Sequence, residues 1–182
     1  MMTRMVKAIR FRQAEEADLP AIVRIYDKIL EDQEMGRASI GWARGIYPTE
    51  KTARDALKSN SLYVEELGGK VCGSAIINQC QVDVYKKVSW SYPASEDQVL
   101  VLHTLTIDPE EGRKGLGEKF VGFYERLAKE KACPYLRLDT NAINKRAQAM
   151  YQKLGYQIVG RELTVFNGID GVELLMLEKT LY

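Results

Sequence analysis

The chain has one histidine, three cysteines and five prolines among its 182 residues, and each scarcity closes a class of function. His103 alone cannot build a His-rich metal site, and Cys72, Cys80 and Cys133 are an odd number without CxxC spacing. Reduced thiols and no bound metal are therefore expected. No apolar run approaches the roughly twenty residues of a membrane span, and proline and glycine are too sparse for a collagen-like or low-complexity chain. Net charge is also nearly absent: 26 Lys and Arg face 25 Asp and Glu, leaving +1. A protein without basic excess is poorly suited to phosphate backbones, which argues against nucleic acid as a partner. Met1 to Arg10 contains Arg4, Lys7 and Arg10 but not the apolar core of a secretory signal, so a cytoplasmic location is expected. What remains is a 46% hydrophobic chain, long enough for about one domain that buries roughly 70% of its unfolded surface.

Val6 to Arg12 suits an opening strand. Leu19, Ile22, Val23, Tyr26, Ile29 and Leu30 then recur at helical spacing behind the acidic start Glu15, Glu16 and Asp18, and the helix should end before Gly36. Glu31, Asp32 and Glu34 at its end read as a solvated face, with attraction of a cationic ligand as the alternative. Gly36 to Pro48 holds three glycines, Trp42 and Tyr47, and is too aromatic for a mere linker; Thr49 is a plausible N-cap for a short second helix. Ser61 to Leu67 and Lys70 to Cys80 flank Gly68-Gly69 as a hairpin. Gln81 to Asp97 is an excursion carrying Tyr85, Trp90 and Tyr92, and a connection of that length is either functional or disordered.

Val99 to Asp108 is the most strand-like stretch, on which residues 101, 103, 105 and 107 should share a face. A glycine cluster opens a helix with Leu116, Phe120, Phe123, Tyr124 and Leu127 at helical spacing; Pro134 to Thr140 is a strand, and Asn144 to Leu154 a helix closed by Gly155. Tyr156 to Thr164 and Val172 to Lys179 close the chain around a turn over 167–171. Apolar residues of this hairpin, among them Val165, Phe166 and Leu174 to Leu177, could pair two copies as a homodimer. The order β-α-α-β-β-β-α-β-α-β-β makes one mixed α/β domain.

Gly112-Arg113-Lys114-Gly115-Leu116-Gly117 lies between a strand and a helix, so backbone N–H groups and the positive helix end converge on one point, an anion site. The spacing is neither that of a P-loop nor GxGxxG, which weakens ATP and dinucleotide readings. Alone, such a loop could be only a tight turn.

Together with the NxxAxxxYxxxGY run that starts at Asn144, however, the stretch from Leu102 to Gly117 resembles the GNAT superfamily of acetyl-CoA-dependent N-acetyltransferases. The specific likeness covers about residues 99 to 160. It implies a mostly antiparallel central sheet flanked by helices over residues 1–182, with acetyl-CoA as cosubstrate. In the family a Q/RxxGxG/A loop binds the coenzyme A pyrophosphate; here Gly112, Arg113, Lys114, Gly115, Leu116 and Gly117 match, followed by Glu118, and glycine stands in place of the usual first Gln or Arg. Leu105, Thr106 and Ile107 would offer main-chain groups to the pantetheine arm, with Asn144 and Ala147 on its other side.

Acetyl transfer to an amine needs a neutral nucleophile, an oxyanion site and a proton for the leaving thiolate. An alkyl amine of pKa about 10.4 is neutral roughly once in 2,500 molecules at pH 7, a deficit of roughly 4.6 kcal/mol, so a base is useful. His103 is the one side chain of suitable ordinary pKa. It matches the second of two histidines that relay the amine proton in the arylalkylamine branch of the family, with Val101 in place of the first; a packed structural histidine is the alternative. Tyr151 matches the family's thiolate-protonating tyrosine, against the alternative of a core phenol, and the backbone N–H of Leu105 would face the oxyanion. Trp42, Tyr47, Trp90 and Tyr92 either enclose an apolar or cationic amine or pin their loops to the core. A small-molecule amine acceptor is expected; a protein N-terminus or lysine, or a non-catalytic acyl-CoA-binding module, are the alternatives.

Overall fold

A computed structural model describes residues 7–182. Val6 of the expected first strand, and most of the segment read for a secretory signal, lie outside the described residues. Seven strands form one sheet: β1 (Ile9–Gln13), β2 (Leu62–Leu67), β3 (Lys70–Asn78), β4 (Val99–Ile107), β5 (Tyr135–Asn141), β6 (Gln157–Phe166) and β7 (Ile169–Thr180). Their spatial order is β1-β2-β3-β4-β5-β7-β6. Every neighbouring pair is antiparallel except β4 and β5, which run parallel. A parallel pair needs a crossover, and helix α3 (Leu116–Glu130) supplies it. The remaining helices are α1 (Leu19–Glu34), α2 (Glu50–Lys58) and α4 (Lys145–Lys153), and none of the described helices is long and apolar enough to cross a membrane.

The helices form where their apolar stripes demand burial. Leu19, Ile22, Tyr26 and Leu30 of α1 are buried, and Leu19, Ile22 and Tyr26 pack with Ala53 and Ala56 of α2 against Leu62 and Val64 of β2. On the other face Phe120, Val121 and Tyr124 of α3 meet Leu100 and Leu102 of β4 and Leu136 and Leu138 of β5. Each such side chain gains about 1.5–3 kcal/mol from leaving water, and Phe120→Ala would forfeit about 3–5 kcal/mol because its site is fully enclosed. Thr49 and Thr52 form the capping box that starts α2, with Thr49 N–H donating to Thr52 Oγ1 at 3.0 Å.

The excursion over 81–97 is ordered against the sheet. Two short 3-10 helices, Asp83–Lys87 and Glu96–Gln98, break it up. Val84 and Tyr85 are buried with Val99 and Val101 of β4 and Val172, Leu174 and Met176 of β7. The closing turn is shorter than expected: Asn167 (φ 52°) and Gly168 (φ 76°) alone reverse the chain, a left-handed pair that matches the strand twist, and Asp170 and Gly171 belong to β7. Most of the apolar residues read as a dimer face are core. Leu174 to Leu177 are buried and Phe166 packs on the Tyr85 cluster, leaving Val165, together with Leu163 and Ile158, exposed on edge strand β6.

The feature that makes a site is the parting of β4 from β5. Their pairing ends at Leu102 with Leu138, and from His103 and Asp139 onward the strands separate. A bulge reinforces the break: Thr104 takes φ 49° and the β3–β4 register slips by one residue. This overturns the expectation that residues 101, 103, 105 and 107 share a face. Leu100 and Leu102 face α3 before the bulge, Leu105 and Ile107 face it afterwards, and His103 stays on the opposite face with Val101.

Candidate active site

The parted strands open into a cleft of about 1180 Å³, lined from β4, β5, the loop before α3, α4, the loop between α1 and α2, and the β6–β7 hairpin. The residues read from sequence at 105, 106, 107, 112, 113, 115, 116, 117, 118, 144, 147 and 151 all line it, as do His103, Trp42 and Tyr47.

At one mouth stands the glycine loop. Arg113 (φ 63°) and Gly115 (φ 69°) both occupy the left-handed region, which turns the chain into α3. The first intrahelical bond runs from Lys119 N–H to Gly115 O, so the N–H groups of Leu116, Gly117 and Glu118 have no partner inside the helix. Asp108 anchors the loop by accepting from Glu110 N–H at 3.0 Å and from Lys28 Nζ at 3.0 Å. Gly117 permits a close approach of α4, since a Cβ there would sit 3.1 Å from Met150 Sδ. Lys114 is the exception in the loop: it is absent from the cleft wall, and its ammonium pairs with Glu111. Lys145 and Arg146, at the start of α4, add positive charge to the wall that the sequence reading did not assign.

Further in, β4 beyond Leu102 has no strand on its β5 side, which leaves the Thr104 to Ile107 main chain facing the cleft. Asn144 caps α4, its side-chain oxygen accepting from Ala147 N–H at 3.2 Å. Tyr151 is buried and meets the Tyr156 ring edge-on at 5.8 Å. Burial, and secondly the charge of Asp139, push its phenol pKa upward, so it keeps its proton at neutral pH.

The opposite wall is built from side chains. His103 shares a hydrogen bond between Nε2 and Asn78 Oδ1 at 3.0 Å, and burial lowers its pKa to about 4. Tyr47 hydrogen-bonds Thr104 through the two hydroxyls and meets Trp42 edge-on at 6.0 Å. Gln33 of α1 holds this loop in place: its Oε1 accepts from the N–H groups of Ile40, Gly41 and Trp42 at 3.1, 2.6 and 3.2 Å, and its Nε2 donates to Trp42 O. Asp139, unassigned from sequence, also lines the cleft, accepts from the Tyr85 hydroxyl at 2.6 Å, and has its pKa raised to about 6 by burial against the opposing effect of that bond.

Tyr92 and Trp90 are not in the cleft. Tyr92 stacks on Tyr135 at 6.1 Å and its carbonyl accepts from Arg137, while Trp90 lies under the Arg137 guanidinium at 4.2 Å and donates to Tyr85 O. Their excursion folds over β4, β5 and β7, and Tyr92 packs there outside the cleft wall, so the substrate-binding expectation for Tyr92 gives way to a packing role.

The sheet is split at its centre, with unshared N–H donors at one mouth of the cleft and a protonated phenol inside it. Residues 22–156 match the acetyltransferase (GNAT) family, and the chain belongs to that family. Its cosubstrate is accordingly acetyl-CoA, and the cleft volume, the free amides of α3 and the unpaired β4 main chain fit such a molecule. A GNAT-family acetyltransferase from Streptococcus agalactiae superposes with a TM-score of 0.79 at 23% identity, covering 96% of each chain. A protein described as an acetyltransferase from Salmonella typhimurium, solved with its cofactor acetyl-CoA, gives 0.68 at 17% identity over 96% of this chain and 95% of that one. The ribosomal-protein-S18-alanine N-acetyltransferase of Escherichia coli gives 0.67 at 18% identity over 96% and 94%. No curated protein matches the sequence itself.

Proposed function

We propose that this acetyltransferase acts on the primary amine of a small molecule in the cytoplasm. The carrying observation is the fixed, aromatic wall of the cleft: Gln33 fastens the loop bearing Trp42 and Tyr47 is tied to Thr104, which supports a small guest over an extended peptide. Acetyl-CoA supplies the activated acetyl group. The N–H groups at the start of α3, with Arg113, hold its pyrophosphate, and the main chain from Leu105 to Ile107 pairs with its pantetheine arm opposite Asn144 and Ala147. Leu105 N–H faces the oxygen that gains charge as the amine attacks. Tyr151, protonated at working pH, donates to the departing sulfur. His103, neutral at pH 7, takes the proton that the nitrogen sheds after bonding to carbon, a far more acidic proton than that of the free ammonium.

The test is a screen of purified enzyme with acetyl-CoA against amines, amino acids, aminoglycosides, polyamines and peptides, read by free thiol release and mass of the product. Transfer to a small amine is expected; transfer to peptides alone assigns the acceptor to proteins, and binding of acetyl-CoA without transfer to any acceptor assigns a binding module. A homodimer through β6 is proposed from Leu163 and Val165, 72% and 63% exposed on that edge strand. A monomeric mass by light scattering overturns it.

A further inference from the structure

Asp139 is the first residue of β5 beyond the last rung shared with β4, level with the point where the two strands part. It stands on the same face of β5 as Arg137, away from Leu136 and Leu138, and so on the acceptor side of the sheet. The walls of the cleft on that side carry Val82, Phe166, Val172 and Leu174 with the rings of Trp42 and Tyr47, beside the polar groups of His103, Thr104 and Asn167. Arg37, from the same loop as Trp42, is already paired with Asp32 at 2.7 Å. A buried carboxylate on the cleft wall, level with the parting of the strands and surrounded by groups without positive charge, has a definite use. It favours a cation, and it disfavours any guest that brings a carboxylate of its own.

We propose that Asp139 binds the ammonium of the acceptor and takes its first proton, and that the acceptor is an apolar primary amine without an adjacent carboxylate. This rests on the small-molecule reading above and narrows it. Two protons must leave the nitrogen. The first passes from the ammonium to the Asp139 carboxylate, leaving a neutral amine whose electron pair forms the C–N bond as the C–S bond breaks. The second leaves the nitrogen after that bond forms, through His103, while Tyr151 gives its proton to the sulfur and is reprotonated in turn. The Asp139 proton is released to solvent, so the sum is ammonium plus thioester to amide, thiol and one proton. Asp139 suits the first step better than His103, since burial raises the proton affinity of the carboxylate and lowers that of the imidazole. The titratable groups around it are the phenols of Tyr85 from segment 83–87, Tyr47 from the α1–α2 loop and Tyr151 from α4, with His103 across the gap on β4. On β7 its neighbour is the uncharged Met176.

The experiment compares benzylamine with phenylglycine, the same skeleton carrying an added carboxylate, in the wild type, Asp139→Asn and Tyr85→Phe. Wild-type kcat/KM for benzylamine should exceed that for phenylglycine by about a hundredfold or more and fall on an acidic limb near pH 6. Asp139→Asn should cut the benzylamine value by about 10²–10³-fold and abolish that limb, with acetyl-CoA affinity and melting temperature retained. Tyr85→Phe, which keeps the carboxylate but removes the hydrogen bond to it, should move the limb to higher pH. Equal use of phenylglycine, no transfer to benzylamine, or a limb that survives in Asp139→Asn overturns the inference. If benzylamine is acetylated equally by Asp139→Asn, the small-molecule reading stands and only this assignment falls; transfer to peptides alone removes both.

Discussion

The two walls of the cleft are made of different material. The wall attributed to acetyl-CoA is main chain: free amides at the start of α3, a left-handed turn through Arg113 and Gly115, and a length of β4 with no strand on its β5 side. The wall proposed for the acceptor is side chain, drawn from loops, β4, β5 and the β6–β7 hairpin. Backbone geometry depends on a few residue types at fixed spacing, so it reads as a motif. A wall of side chains collected from distant segments has no spacing to read.

The sharpest break of that comparison is Tyr151→Phe. It should lower kcat by about 10²-fold or more and leave the acetyl-CoA dissociation constant unchanged by calorimetry, because the phenol belongs to neither binding wall. Equal kcat would remove the proton-donor role. Next comes Gly115→Val. A β-branched residue at φ 69° is strained by about 1–2 kcal/mol, and the α3 amides should lose their aim. Acetyl-CoA affinity should drop about tenfold with acceptor KM little changed. Gly41→Ala tests the other wall. Gly41 has φ 87°, and a Cβ there would collide with the Asn141 amide. Acceptor KM should rise severalfold while acetyl-CoA affinity holds, and a parallel loss of both would show that the walls are not separable.

The smallest effect on turnover is expected from Glu65→Gln. Glu65 is 0% exposed on β2 beneath the cofactor side, neither side-chain oxygen has a partner, and burial raises its pKa to about 8. A folded-state pKa above the unfolded one means stability that is complete below about pH 4.5 and lost as the pH climbs to about 8. The wild-type melting temperature should therefore fall relative to Glu65→Gln across that window, with activity at pH 7 equal.

These differences explain what the sequence could and could not disclose. Helix stripes, the Gly68-Gly69 hairpin and the element order were legible because each depends on local periodicity. The glycine loop and the helix beginning at Asn144 were legible for the same reason. The phase of β4 was not: a single residue in the bulge at Thr104 reverses which side chains face α3, and nothing in Val-Leu-Val-Leu-His-Thr-Leu-Thr-Ile marks it. Asp139 was missed because one acid in a strand gives no signal until Tyr85, far away in sequence, is folded onto it. Tyr92 misled because aromatic loops pin themselves to sheets as readily as they enclose ligands.

The Gln33 clamp bears on how guests enter and leave. One side-chain oxygen serves three consecutive amides, so a single rotation of Gln33 would free residues 40–42 together. Their amide hydrogens can exchange with solvent only after the clamp lets go, so the rate of that exchange sets a lower limit on how often this wall of the cleft is released.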